Sequence, residues 1–94
     1  MSYFWNDEEG LKKLESFPEF IKRGIEDYVS RGCPMGHFLT ALFSNDLFET
    51  FKKADDENVK LIKDYISFIH WHCPSNCHGS YELVENWIKT KRKG

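Results

Sequence analysis

No stretch of this 94-residue chain approaches the roughly 20 apolar residues of a membrane-spanning helix, so no membrane partner is expected. The first ten residues lack the basic and then apolar pattern of a secretory leader and carry Asp7, Glu8 and Glu9 instead. A large charge of either sign is also missing. Thirteen Lys and Arg against fifteen Asp and Glu leave a net charge of −2. That balance supplies neither the positive surface of a general nucleic-acid binder nor the strong negative charge of a DNA mimic. Three cysteines are an odd number with no export signal, so free thiols in a reducing cytoplasm are expected. No run alternates with a period of two, which leaves strands without a signal, and no internal repeat occurs. HExxH, P-loop and GxGxxG patterns are all absent. Cys33 stands four residues before His37 near a helix start, yet nothing supplies a third catalytic group, and no enzyme is expected.

What the chain has in abundance is aromatic residues: eight Phe, four Tyr and three Trp, 16% of the whole. Each buries a large area, so a short chain can build a core from few of them, and any ring left outside becomes an anchor for a ligand or partner. Ninety-four residues enclose one core, so a single helical domain over 1–94 is expected, with 1–5 as an N-terminal flap and 89–94 as a basic C-terminal end.

Helical signals run along the chain in order. Asn6 or Asp7 suits the cap of a helix reaching about Ser16, weakened by Gly10. Ser16-Phe17-Pro18-Glu19 reads as a capping box that starts a second helix, with Phe20, Ile21, Ile25, Tyr28 and Val29 on one face and Gly32 as its stop. Pro34 then opens a third helix whose stripe is Met35, Phe38, Leu39, Leu42 and Phe43. Ser44-Asn45-Asp46 breaks it at a sharp corner, and Leu47, Phe48 and Phe51 carry the apolar pattern onward. Asp55 caps the longest helix, at about 56–73. Val59, Ile62, Ile66, Ile69 and Cys73 form one stripe there, and Leu61, Tyr65, Phe68 and His72 a second beside it. Two stripes predict burial over more than half the circumference. Pro74 ends that helix, and Ser80 caps a last one with Tyr81, Val84, Trp87 and Ile88 inward. The expected fold is all-α, a compact bundle of five to six short helices around the one at 56–73.

The segment from His70 to His78 holds the densest chemistry. His72, Cys73, Cys77 and His78 offer ligand types that zinc accepts, and Cys33 with His37 adds a second pair, but a C-x3-C spacing without a distant C-x2-C matches no strong zinc signature. A helix-turn-helix drawn across Met35 to Ala54 sets Asp46 and Glu49 against Lys52 and Lys53, which repels phosphate as much as it attracts it. The polar set Asn45, Asp46, Asp55 and Asn58 reads first as helix caps, with Asn45 and Asp55 bracketing one short helix.

The run from Tyr28 to Leu47, YVSRGCPMGHFLTALFSNDL, resembles a family of small, mostly uncharacterised proteins of tailed phages and prophages. Ala54-Asp55, Asn58, Pro74, Cys77, Gly79-Ser80 and Trp87 continue the pattern over about Ile25 to Ile88. Members usually carry an aliphatic residue at the position of Cys33 and commonly tryptophan at that of His78. His37, His72 and Cys73 depart from the pattern as well, so a zinc site here would be private to this chain. The resemblance implies a non-catalytic accessory protein of host takeover or anti-defence, working in the bacterial cytoplasm without a cofactor. Such a protein would occlude a bacterial host protein or sequester a small nucleotide signal, and a bundle this small would act as a homo-oligomer. The candidate contacts are Arg31, Asn45, Asp46, Asp55, Asn58, Tyr65 and Trp71, with ring faces for base stacking and basic groups for phosphates. The alternatives are a structural zinc protein using His72, Cys73, Cys77 and His78, and a DNA-binding regulator.

Overall fold

The apolar periodicities resolve into helices throughout the computed structural model, which describes residues 8–93. They are α1 (Glu8–Ser16), α2 (Glu19–Arg31), α3 (His37–Phe43), α4 (Leu47–Lys53), α5 (Asp56–His72) and α6 (Tyr81–Lys93), with a 3-10 turn at Ser75–Cys77 between the last two. Among the described residues there is no strand, and the fold is the all-α bundle that the sequence pattern predicts. A radius of gyration of 12.3 Å is the value expected of a well-packed chain of this length. The flap at 1–5 and the caps at Asn6 or Asp7 lie outside the described residues.

The core is aromatic. Leu14, Ile25, Tyr28, Val29, Phe43, Tyr65 and Phe68 are all completely buried. Phe17, in the link between α1 and α2, wedges its ring edge-on against Tyr65 at 4.9 Å and Phe68 at 5.6 Å, which ties α5 to the first two helices. Tyr28 meets Phe43 in the same geometry at 5.2 Å. Edge-to-face packing brings a ring's positive rim to its neighbour's negative face and adds to the area buried. Both buried tyrosines have partners for their hydroxyls: Tyr28 donates to the Cys77 carbonyl at 2.7 Å, and Tyr65 to Asn58 Oδ1 at 2.8 Å. The α6 helix hangs on α2 through Trp87, whose indole nitrogen donates to the Tyr28 carbonyl at 3.1 Å.

The stops fall where the sequence puts them. Gly32 closes α2 with φ +71°, donating to the Tyr28 carbonyl while Cys33 donates to that of Asp27. The same glycine admits α6, since a Cβ there would stand 2.5 Å from Lys91 Cβ and 3.2 Å from the Ile88 carbonyl. Asn45 makes the corner between α3 and α4 with φ +63°, a left-handed conformation that asparagine tolerates better than most residues. Asp55 and Ser80 cap α5 and α6 as expected, accepting from Asn58 N at 2.8 Å and Leu83 N at 3.1 Å.

Two starts differ. The capping box at Ser16 does not form: Ser16 ends α1, its hydroxyl donating to the Lys13 carbonyl. Helix α2 begins after Pro18, which is extended and caps with no side chain, because Phe17 must turn inward before the helix can start. Pro34 does not open α3 either. The chain from Gly32 to Gly36 is non-helical, and α3 starts at His37.

Burial differs more. Phe20, placed on the inner face of α2, is 82% exposed. Val59 and Ile66 are exposed on α5, whose buried residues Ile62, Tyr65, Phe68 and Ile69 span only roughly a third of its circumference. Tyr81 is outward on α6, with Val84 buried and Trp87 and Ile88 packed at the core's edge. The largest departure is α4. Leu47, Phe48 and Phe51 are 62%, 76% and 49% exposed, and the buried residue of that helix is Thr50.

Candidate functional site

The corner at Asn45 lies beside a pocket of about 290 Å³. Its first wall is the end of α3 and the start of α4, through Leu42, Phe43, Asn45, Asp46, Leu47 and Thr50. The opposite wall is α5, through Ile66, Ile69 and His70, and the turn before α6 closes it with His78 and Gly79. Two backbone facts bring these walls together. Gly79 N donates to the Phe43 carbonyl at 2.7 Å, joining the turn to the end of α3. The left-handed residue Asn45 then reverses the chain, so that α4 starts at the rim.

Asp46 organises that rim. Its Oδ1 accepts from Glu49 N at 3.2 Å, the cap of α4. Its Oδ2 accepts the Tyr81 hydroxyl at 2.7 Å, which latches α6 to the corner. The Thr50 hydroxyl donates back to the Asp46 carbonyl at 2.6 Å. The Tyr81 bond, and then the Glu49 amide, hold the Asp46 carboxyl below its usual range, so it is ionised at neutral pH. The same bond pushes the Tyr81 phenol up to about 12. His78 is lowered, first by burial and then by the neighbouring His70, so it favours the neutral ring. Five of the lining side chains are aliphatic or aromatic and five are polar, namely one carboxylate, one amide, one hydroxyl and two imidazoles, and no lysine or arginine lines the pocket.

An apolar shelf continues from it. Leu47 belongs both to the pocket and to a shallow hollow shared with Phe48, Phe51 and Lys52. Ile66 is exposed on the far wall. The shelf and the pocket share Leu47 and form one surface, with Asn45 and Asp46 at the rim of the recess.

Of the residues expected to make contacts, Asn45 and Asp46 are at this pocket. Trp71 is 72% exposed and packs edge-on against the pocket residue His70 at 4.7 Å. The others are elsewhere. Arg31 is ion-paired with Asp27 on the surface of α2. Asp55 and Asn58 serve the start of α5, and Tyr65 is fully buried with its hydroxyl on Asn58, so its ring packs in the core and has no face for a base to stack on. Leu47, Phe48, Phe51, Ile66, His70 and Tyr81 are not among the expected contacts, and His78 is expected only as an alternative zinc ligand. The first three read in the sequence only as a continuation of the apolar pattern, and their one distinguishing signal is a helix of two turns whose remaining faces carry only Thr50 and charge.

The zinc candidates have different neighbours. His72 packs on Phe68, with ring centres 5.6 Å apart, whereas His78 faces His70 across the pocket. The thiols of Cys73 and Cys77 meet each other. That hydrogen bond and then burial raise Cys73 well above the ordinary thiol range. Among the described residues, no group of three or more His, Cys, Asp or Glu side chains is arranged to hold a metal ion. No described helix is long and apolar enough to cross a membrane. Set against family models, curated proteins and solved structures, the chain matches none.

Proposed function

We propose that the chain is a non-catalytic binding protein that occludes a bacterial host protein, in keeping with a phage accessory role in host takeover or anti-defence. The observation that carries this reading is the apolar shelf of Leu47, Phe48 and Phe51 on α4. Three large apolar side chains on two turns of helix, turned to solvent and leading into a pocket, are what a protein-docking surface requires: anchors in the middle and polar groups at the rim. The sequestration of a nucleotide has less support. Phosphates need cations, and the pocket offers Asp46 with no lysine or arginine beside it.

The test is capture from bacterial lysate by the full chain, with Phe48→Asp and Phe51→Asp as controls. The expected outcome is a host protein retained in stoichiometric amount by the parent chain and lost from both variants, whose thermal midpoints stay close to the parent's. Identical captured material from parent and variants would overturn the reading.

A further inference from the structure

The pocket beside the shelf has a chemistry of its own, distinct from the flat apolar surface next to it. Asp46 is ionised, and each of its oxygens accepts one bond, to Glu49 N or to the Tyr81 hydroxyl. A carboxylate has about four acceptor positions, so roughly two remain open. The recess also holds the Asn45 amide and two imidazoles, of which His78 favours the neutral form and can accept. Its walls of Leu42, Phe43, Leu47 and Ile69 are apolar. On the other side of the Asp46–Tyr81 latch, a second hollow is lined by Glu49 and His37 and again by no lysine or arginine. Both recesses at this corner therefore lack cationic lining, although the chain as a whole is close to neutral.

We propose that the pocket is the socket for a guanidinium-tipped side chain of the partner, an arginine standing next to apolar residues that rest on Leu47, Phe48 and Phe51. An arginine has an apolar stem for the walls and a planar fork of donors for the carboxylate. A lysine offers a point charge with stronger hydration and matches the open carboxylate positions less well. A phosphate or carboxylate group would meet Asp46 as a like charge. A purely apolar anchor would cover the acceptors at the rim without giving them partners, at a cost that a donor-bearing side chain avoids. This inference rests on the protein-binding reading for its biological sense, but its chemistry is tested without the partner.

The probes are phenylguanidinium and its neutral isostere phenylurea, titrated into the isotopically labelled full chain and followed by amide NMR. Phenylguanidinium is expected to shift the Asn45 and Gly79 amides along a saturable curve and to bind at least tenfold more tightly than phenylurea. Asp46→Asn keeps a competent helix cap and is expected to bring the two probes to equal affinity. Ile66→Trp, which enlarges an exposed residue of the wall, is expected to abolish both. Equal affinity of the two probes for the parent chain, or shifts confined to other regions, would overturn the proposal, and neither result depends on a variant folding. The two readings can fail separately. Host-protein capture that depends on Phe48, with no probe in the pocket, removes the arginine socket alone. Normal probe binding with capture indifferent to Phe48 removes the docking shelf and leaves the socket.

Discussion

Phe43 and Phe48 lie five residues apart on consecutive helices, and they have opposite fates. Phe43 is completely buried against Tyr28, while Phe48 is three-quarters exposed. The helix that carries each ring is equally short, at seven residues. Helix α3 has neighbours on several sides, packing against α2, α4 and α6, and Gly79 bonds to its last carbonyl. The chief neighbour of α4 is α3, and its inward position goes to Thr50, whose hydroxyl is tied to the Asp46 carbonyl. Apolar periodicity says that residues share a side of a helix. Whether that side is inner or outer depends on which other helices arrive there. An apolar side left open on a bundle this small is a standing solubility liability.

The largest expected effect breaks this pair apart directly. Phe43→Ala should lower stability by about 3–5 kcal/mol in urea unfolding, from lost burial and the cavity left beside Tyr28. Phe48→Ala should stay within about 0.5 kcal/mol of the parent. Similar losses from both would mean that α4 packs inward. A middle-sized effect is expected where α2 meets α6. Gly32→Ala forces a side chain into a left-handed backbone and against Lys91 Cβ, and should cost about 1–3 kcal/mol by the same measurement. A neutral Gly32→Ala would show that α6 is not seated on α2 as described.

The smallest effect is electrostatic and belongs to the open region. His78 has its folded value lowered, so at neutral pH both folded and unfolded chains hold it uncharged. As pH falls below 6.5, the ordinary imidazole value, the unfolded chain takes up a proton that the folded chain resists, and stability declines until the folded value is passed. Asp46 is also lowered, and its contribution is lost separately, below 3.8. The thermal midpoint of the parent should therefore drop between neutral pH and pH values below 6.5, and His78→Gln should reduce that drop. An unchanged slope in the variant would place the titrating group elsewhere.

Much of the fold was legible in the sequence because local chemistry decides it. Gly32, the Asn45 corner and the caps at Asp55 and Ser80 each answer a requirement of their own few residues: a left-handed turn, or an orphan amide in need of an acceptor. The candidate site was legible only in part. Asn45 and Asp46 stood out as polar residues at a corner, but nothing local joined them to His70, His78 and Tyr81. Those residues are 24 or more positions further along the chain and arrive through the packing of α5 and α6. Tyr65 was misread for a related reason. Its ring suits a ligand, and the hydrogen bond to Asn58 that lets its hydroxyl be buried is visible only once α5 exists as a helix.

By itself, then, the sequence determined the helices, most of their stops and caps, and which residues share a side. Those depend on backbone conformation and on donors and acceptors within about four residues of one another. Tertiary structure alone decided which apolar side faces in. It sealed Phe43 and left Leu47, Phe48 and Phe51 in water, and it latched Asp46 to Tyr81 across 35 residues of chain. Burial is a property of where helices meet, and a single helix carries no record of its neighbours.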